Sequence, residues 1–197
     1  MTADRETLAF YDSAAPRYAA RFSRARPDRD LAAFIAALAP GARVLDLGCG
    51  PGQGAAMLRD AGLVVDAVDA SEGMARLARE RFGIDVTVQE FSDIDAVARY
   101  DGIWANFSLL HAPRAEMPAH LRRLHRALKP GGLLHLGLKL GRGEGRDHLG
   151  RFYAYYEEAE LDALLRAAGF APVARRTGRA TGMAGTPDPF IIMRARA

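Results

Sequence analysis

The stretch Val44-Leu45-Asp46-Leu47-Gly48-Cys49-Gly50-Pro51-Gly52-Gln53-Gly54 constrains this chain more than any other. An apolar run ending beside an acid reads as a buried strand, and the glycines after it punctuate a turn into a helix. Such a turn lets backbone approach a ligand closely, because no Cβ intrudes. It also aims free N–H groups and the positive end of a helix dipole at that ligand. The expected ligand group is therefore anionic or oxygen-rich: a carboxylate, a phosphate or a ribose. Asp46, Gly48, Gly50 and Gly52 spell D-x-G-x-G-x-G, whereas a dinucleotide fingerprint asks for G-x-G-x-x-G. Gly50-x-Gly52-x-x-Ala55 meets the relaxed form of that fingerprint, so the turn alone leaves both ligand classes open.

Strands and helices alternate around this turn. Val64 to Asp69 reads as a second strand ending in an acid, about twenty residues after Gly48, where a carboxylate can accept both hydroxyls of a ribose. Residues 4–22 carry a helical pattern with Tyr11 and Tyr18 on one face. Pro27-Asp28 opens a helix whose Leu31, Phe34, Ile35 and Leu38 face a core, and Pro40-Gly41 stops it. The pattern predicts strands 42–47, 63–69, 84–89, 101–106 and 133–139. Between them it predicts helices 53–61, 72–82 (with Ser71 as N-cap) and 114–128. Helix 157–168 ends at Gly169, and strands 171–177 and 189–195 close the chain. This alternation predicts a parallel sheet with helices on both faces. We read one domain over 1–197, with 1–40 as a helical cap on a 41–197 core. Residues 141–151, rich in glycine and charge, are expected to form a mobile surface loop or lid; they lack the G-x-x-x-x-G-K-[ST] of a phosphate loop.

Composition narrows the function. A chain of 197 residues can bury about 70% of its unfolded surface without staples. Its single cysteine, Cys49, excludes an intramolecular disulfide and fits a reducing cytoplasm. Residues 1–11 are charged and do not resemble a signal peptide, and no apolar run approaches a bilayer span, so no membrane partner is expected. The net charge is only +3, and no basic tract is dense enough or interleaved with aromatics to argue for nucleic acid. No His, Cys, Asp or Glu cluster has metal-ligand spacing.

In an open α/β sheet, ligands bind beyond the carboxyl ends of the strands. Those ends supply Asp46 to Gly52, Asp69-Ala70, Glu90-Phe91, Asn106-Phe107 and Lys139. Arg151, Tyr153, Tyr155 and Tyr156 join Lys139 as candidate contacts to a substrate.

Four segments, Val44–Gly54, Val65–Met74, Tyr100–His111 and Leu128–Leu136, together resemble the class I S-adenosylmethionine-dependent methyltransferases. Leu-Lys-Pro-Gly-Gly at 128–132 is a specific marker, and the resemblance runs over roughly residues 10 to 170. It implies a Rossmann-like, doubly wound, mostly parallel seven-stranded sheet whose last strand is antiparallel. It also implies S-adenosylmethionine as cofactor and, for this small single-domain type, a small-molecule methyl acceptor. Position by position, the turn of Asp46, Gly48, Cys49, Gly50 and Gly52 would hold the methionine moiety, and Asp69 with Ala70 the ribose. Met74 would pack near the adenine, with Glu90 and Phe91 at its edge, although the family more often carries Asp near position 90. Asn106 and Phe107 would line the wall at the fourth strand. Tyr11-Asp12-Ser13-Ala14-Ala15-Pro16-Arg17-Tyr18 resembles the family's N-terminal cap, which places Tyr18 and Arg21 at the cofactor. His111 would face the reaction chamber as base or orienting donor, with Tyr18 as a second catalytic candidate and Tyr11 beside the acceptor. The cap and residues 141–156 would together cover the methyl group. Other readings of the same motifs are a catalytically idle cofactor-binding protein, or a nucleic-acid methyltransferase that reaches its base by flipping.

Overall fold

The computed structural model describes residues 4–197. Residues 1–3, the start of the charged N-terminal stretch and of the spans 1–40 and 1–197, lie outside the described residues. The central sheet contains β1 (Arg43–Leu47), β2 (Val64–Asp69), β3 (Val86–Val88), β4 (Tyr100–Asn106) and β5 (Leu128–Lys139). A separate hairpin pairs β6 (Glu144–Arg146) with β7 (Phe152–Ala154), and β8 (Ala171–Thr181) and β9 (Pro187–Arg196) complete the sheet. Its order is β3-β2-β1-β4-β5-β9-β8. β1 to β5 pair in parallel, and β9 is antiparallel to both β5 and β8. The expected seven strands with an antiparallel last one are therefore present.

Side-chain alternation explains how helices cover both faces. On one face Val44, Trp104 and Leu133 pack with Leu31 and Phe34 of α2 (Arg29–Ile35) and Leu58 of α3 (Gln53–Asp60). On the other, Leu45, Ile103 and Leu134 pack with Leu121 and Leu124 of α5 (Met117–Ala127) and Leu161 and Leu165 of α6 (Glu158–Ala167). The chain runs outward through β1, β2 and β3, then returns to β4 on the other side of β1. That reversal opens a crevice at the carboxyl ends of β1 and β4.

Over the crevice lies α1 (Arg5–Arg21), docked on α4 (Glu72–Phe82). The Asp12 carboxylate accepts from Ser71 Oγ at 2.6 Å and from Gly73 N at 3.0 Å. Gly73 is required there: a Cβ would stand 2.7 Å from the Asp12 carbonyl oxygen. That carbonyl has no helical N–H to accept from, because the residue four positions on is Pro16.

Some element bounds differ from expectation. β5 starts at Leu128 rather than 133, because Leu128 pairs with Tyr100 before the register shifts. α5 starts at Met117, after a single 3₁₀ turn over Arg114–Glu116. The largest correction concerns 141–151, which is not a free loop but part of the β6–β7 hairpin. Asp147 organises its turn, accepting from Leu149 N, Arg151 N and the Arg151 guanidinium, and this draws Arg151 inward to 2% exposure. The hairpin is tied to α1 by Phe152 N donating to Thr7 Oγ1 at 2.8 Å and by an Arg146–Asp4 ion pair at 2.6 Å. No helix among the described residues is long and apolar enough to cross a membrane.

Candidate active site

The β1–α3 turn departs from its sequence reading in one instructive way. Its amides are already occupied: Gly48 N and Cys49 N donate to the Val68 carbonyl at 2.8 and 2.9 Å, and Gly50 N donates to Asp69 Oδ2 at 2.8 Å. What the turn offers instead is closeness and carboxylates. Gly48, at φ 71°, lies so near the next loop that a Cβ would meet that of Ser108 at 2.3 Å, whereas Gly50 faces open space. Asp46 is 3% exposed and its Oδ2 has no partner. Burial, with the Asp69 charge adding to it, pushes its carboxyl up to about 7. Asp69 accepts from Ser71 N at 2.9 Å and from Gly50 N; burial raises its pKa, and these backbone bonds counter the rise. Two acceptor groups around Gly48, Cys49 and Gly50 amides that are already paired suit an ammonium and ribose hydroxyls, and a buried carboxylate at the turn disfavours a pyrophosphate. The residues present therefore fit S-adenosylmethionine better than a dinucleotide.

A cleft of about 920 Å³ leads from this turn past Asp69, Ala70 and Met74 to Glu90 and Phe91. Its lining, a carboxylate at Asp69, the thioether of Met74 and the Phe91 ring, suits a ribose and a base. A second cleft, about 1630 Å³, opens on the other side of the turn and is lined by Asp46, Cys49, Trp104, Lys139, Arg151, Tyr153 and Phe190, among others. The two share Tyr11, Tyr18, Gly48, Gly50, Asn106, Phe107 and His111, so they meet at a common waist.

The waist is tightly bonded. His111 Nδ1 lies 2.7 Å from the Phe152 carbonyl, which can only accept, so Nδ1 carries the proton. Nε2 is then the lone-pair side and accepts from the Tyr11 hydroxyl at 2.9 Å. Tyr11 oxygen in turn accepts from Arg151 at 3.3 Å. Burial, aided by the charges of Arg151 and Lys139, lowers the His111 pKa to about 4. His111 thus orients Tyr11, and its only lone pair is not free to act as a base on an acceptor. Phe107 holds a left-handed φ of 58°, a conformation that costs a non-glycine residue about 1–3 kcal/mol and often marks functional sites. Beneath it, His135 stacks on Trp104 at 3.7 Å and meets Asn106 Oδ1 through Nε2 at 3.1 Å. Burial lowers the His135 pKa to about 3, so it stays neutral, with Nε2–H turned to Asn106.

Most expected site residues line one cleft or both. Four do not. Gly52 caps α3 and packs on Ala78, Arg21 reaches out to the Gly182 carbonyl, Tyr155 stacks behind Tyr153, and Tyr156 is fully buried against Arg114. Asp12, Trp104, His135, Asp147, Asp188 and Phe190 belong to the site or its support and were missed. The one sequence signal for any of them is the pair Trp104 and His135, a polar–aromatic interruption in two otherwise aliphatic strands that face each other in register. Among the described residues, no group of three or more His, Cys, Asp or Glu side chains is placed to hold a metal.

Comparison with known proteins gives this geometry a family. Residues 44–132 match a methyltransferase-domain model. The Burkholderia thailandensis 1,6-didemethyltoxoflavin-N1-methyltransferase, crystallised with 1,6-didemethyltoxoflavin and S-adenosylhomocysteine, is 30% identical. That alignment covers 100% of this chain and 91% of the other, with a TM-score of 0.74. A malonyl-[acyl-carrier protein] O-methyltransferase of Pseudescherichia vulneris is 33% identical over 65% of this chain and 51% of its own. A trans-aconitate 2-methyltransferase of Variovorax paradoxus (strain S110) is 38% identical over 66% of this chain and 51% of its own. The chain spans about half the length of these two curated relatives. A match of the domain motifs and 30% identity over the whole chain are what a family member shows, and the chain belongs to the class I S-adenosylmethionine-dependent methyltransferases.

Proposed function

We propose that this chain transfers the methyl group of S-adenosylmethionine to a small molecule held in the second cleft. The observation that carries this reading is the shared waist: a cleft past Asp69 and Met74 and a second past Trp104 and Lys139 meet where Gly48, Tyr11, Asn106 and their neighbours line both. When bound, S-adenosylmethionine supplies a methyl group on a sulfonium sulfur, an electrophile already activated for displacement by an acceptor's lone pair. The protein's share is alignment, which contributes on the order of 7–11 kcal/mol in well-oriented reactions.

In this reading Asp69 accepts from the ribose hydroxyls, Asp46 faces the amino-acid ammonium, and Met74 and Phe91 flank the base. Tyr11 donates to His111 and receives hydrogen bonds from Arg151 and Tyr153, so its oxygen is fully engaged and fixes the waist. The Asn106 amide, its Oδ1 held by His135, keeps an NH₂ that can donate to an acceptor oxygen or nitrogen and turn the reacting atom toward the methyl. α1 and the β6–β7 hairpin cover this space and exclude water from it. Relatives named for malonyl-acyl carrier protein, trans-aconitate and 1,6-didemethyltoxoflavin support a small acceptor over a nucleic acid. Calorimetry tests the reading: heat is expected with S-adenosylhomocysteine and none with NAD, and the reverse pattern would overturn it.

A further inference from the structure

The second cleft is rich in charge, and the charge is matched. Four cations line it: Arg24, Lys139, Arg151 and Arg176. Lys139 Nζ stands 2.6 Å from Asp188 and 3.9 Å from the centre of the Tyr153 ring. Arg151 grips Asp147 through Nε at 3.1 Å and Nη2 at 2.6 Å. Arg176 pairs with Asp30, and Arg24 with Asp28. Asp28, Asp30 and Asp188 line the cleft themselves, and Asp46 adds a fourth carboxylate. An incoming carboxylate or phosphate would therefore meet an acid beside each cation. Breaking a partly buried pair to admit it would strand the displaced charge.

Between the ion pairs the lining is aromatic and apolar. Trp104 is stacked on His135, Phe107 meets Phe190 edge to face at 5.8 Å, and Leu31, Met57 and Leu110 fill gaps. Aromatic walls favour a ligand with a flat π-surface, which can meet them face-on or edge-on. One polar edge stands open at the waist. The Asn106 amide, with Oδ1 held by His135, keeps its NH₂ as a donor, whereas Tyr11 oxygen is taken up by Arg151 and Tyr153. A ring bearing a carbonyl satisfies that donor.

We infer that the second cleft takes a flat, uncharged heteroaromatic acceptor, and that the matched ion pairs, Lys139–Asp188 above all, disfavour an acceptor bearing a carboxylate or phosphate, the one carboxylate admitted being the donor's own, beside the ammonium at Asp46. This inference rests on the methyl-transfer reading of the site, and the test separates the two. Protein saturated with S-adenosylhomocysteine is titrated by calorimetry with lumazine and quinazolin-4-one in their uncharged forms, and with trans-aconitate. Both heterocycles are expected to bind more tightly than trans-aconitate by roughly tenfold or more. Asp188→Asn, which leaves Lys139 unmatched, is expected to narrow that gap at least threefold; Asp30→Asn, which frees Arg176, serves if the first variant does not fold. Equal or tighter binding of trans-aconitate to the unaltered protein overturns the inference, as does failure of both heterocycles to bind or a gap the variants leave unchanged. Failure of S-adenosylhomocysteine itself to bind would instead overturn the methyl-transfer reading beneath it.

Discussion

In the proposed reading Asp69 and Asp46 divide the work of holding the donor, and each makes a separate prediction. Asp69 is anchored by Ser71 N and Gly50 N, which leaves its outer lone pairs for two ribose hydroxyls. Each such bond to a charged group contributes about 1.5–3 kcal/mol and the two are far from additive, so Asp69→Ala should weaken S-adenosylhomocysteine binding by about 10- to 1000-fold with little change in melting temperature. An unchanged dissociation constant would show that the ribose lies elsewhere. Asp46 carries a carboxyl pushed up to about 7 and must be ionised to meet an ammonium. Below that pH the free protein holds a proton that binding has to release, so affinity should fall by up to about tenfold per pH unit on acidification from pH 7. A flat or rising affinity over that range would separate Asp46 from the ammonium. The histidines act in the other direction on stability. His111 and His135 are held near 4 and 3, below the 6.5 of a free imidazole, so between those values the unfolded chain binds more protons and acid destabilises the fold. His135→Gln should therefore lose less stability on acidification from pH 6.5 to 4.5, by roughly 1.4 kcal/mol per pH unit, in urea unfolding. Parallel curves for the two proteins would mean that His135 titrates normally.

At the level of elements, the cap is the least conventional part. α1 is joined to the sheet layer through Asp12 on Ser71 and Gly73, and to the hairpin through Thr7 and Asp4. Glycine within a helix is normally unfavourable, and replacing it with alanine gains about 1 kcal/mol. Gly73→Ala should do the opposite, because its Cβ would fall 2.7–2.8 Å from the Asp12 backbone. We expect it to lift α1 off α4 and weaken S-adenosylhomocysteine binding about tenfold or more, while far-ultraviolet circular dichroism stays the same. Tighter binding or a higher melting temperature would mean that α1 does not seal the cleft. This contact also shows why the cap was only partly legible. The Tyr11–Tyr18 spacing shows in the sequence, whereas Asp12 gains its role only once α1 has docked and its carboxylate meets Ser71 and Gly73. The hairpin was hidden for a similar reason. Glycine and charge over 141–151 look like a loop until Asp147 binds Arg151 four residues on and brings Phe152 back alongside Arg146.

Across the whole molecule, the readable parts were those with local rules. Alternating apolar strands, the positive φ of Gly48 and the acid ending β2 all follow from neighbours in sequence, and the strand order follows from the family resemblance. The second cleft draws on α1, α2, β4, β5, β8, β9 and the hairpin at once, so no short stretch announces it. Lys139 was visible at a strand end, but Asp188, its partner almost fifty residues later, was not. The same holds for the waist, where Tyr11, His111 and Arg151 meet from three distant segments. The central claim is that the methyl donor's adenosine lies in the first cleft, with its sulfur at that waist and its amino-acid end reaching Asp46 in the second. A crystal structure with S-adenosylhomocysteine tests this most directly. The account predicts ribose hydroxyls on Asp69, the base between Met74 and Phe91, and the sulfur among Gly48, Tyr11 and Asn106 with an open path to Trp104 and Phe190. A ligand whose ribose misses Asp69, or whose sulfur is walled off from the second cleft, would contradict it.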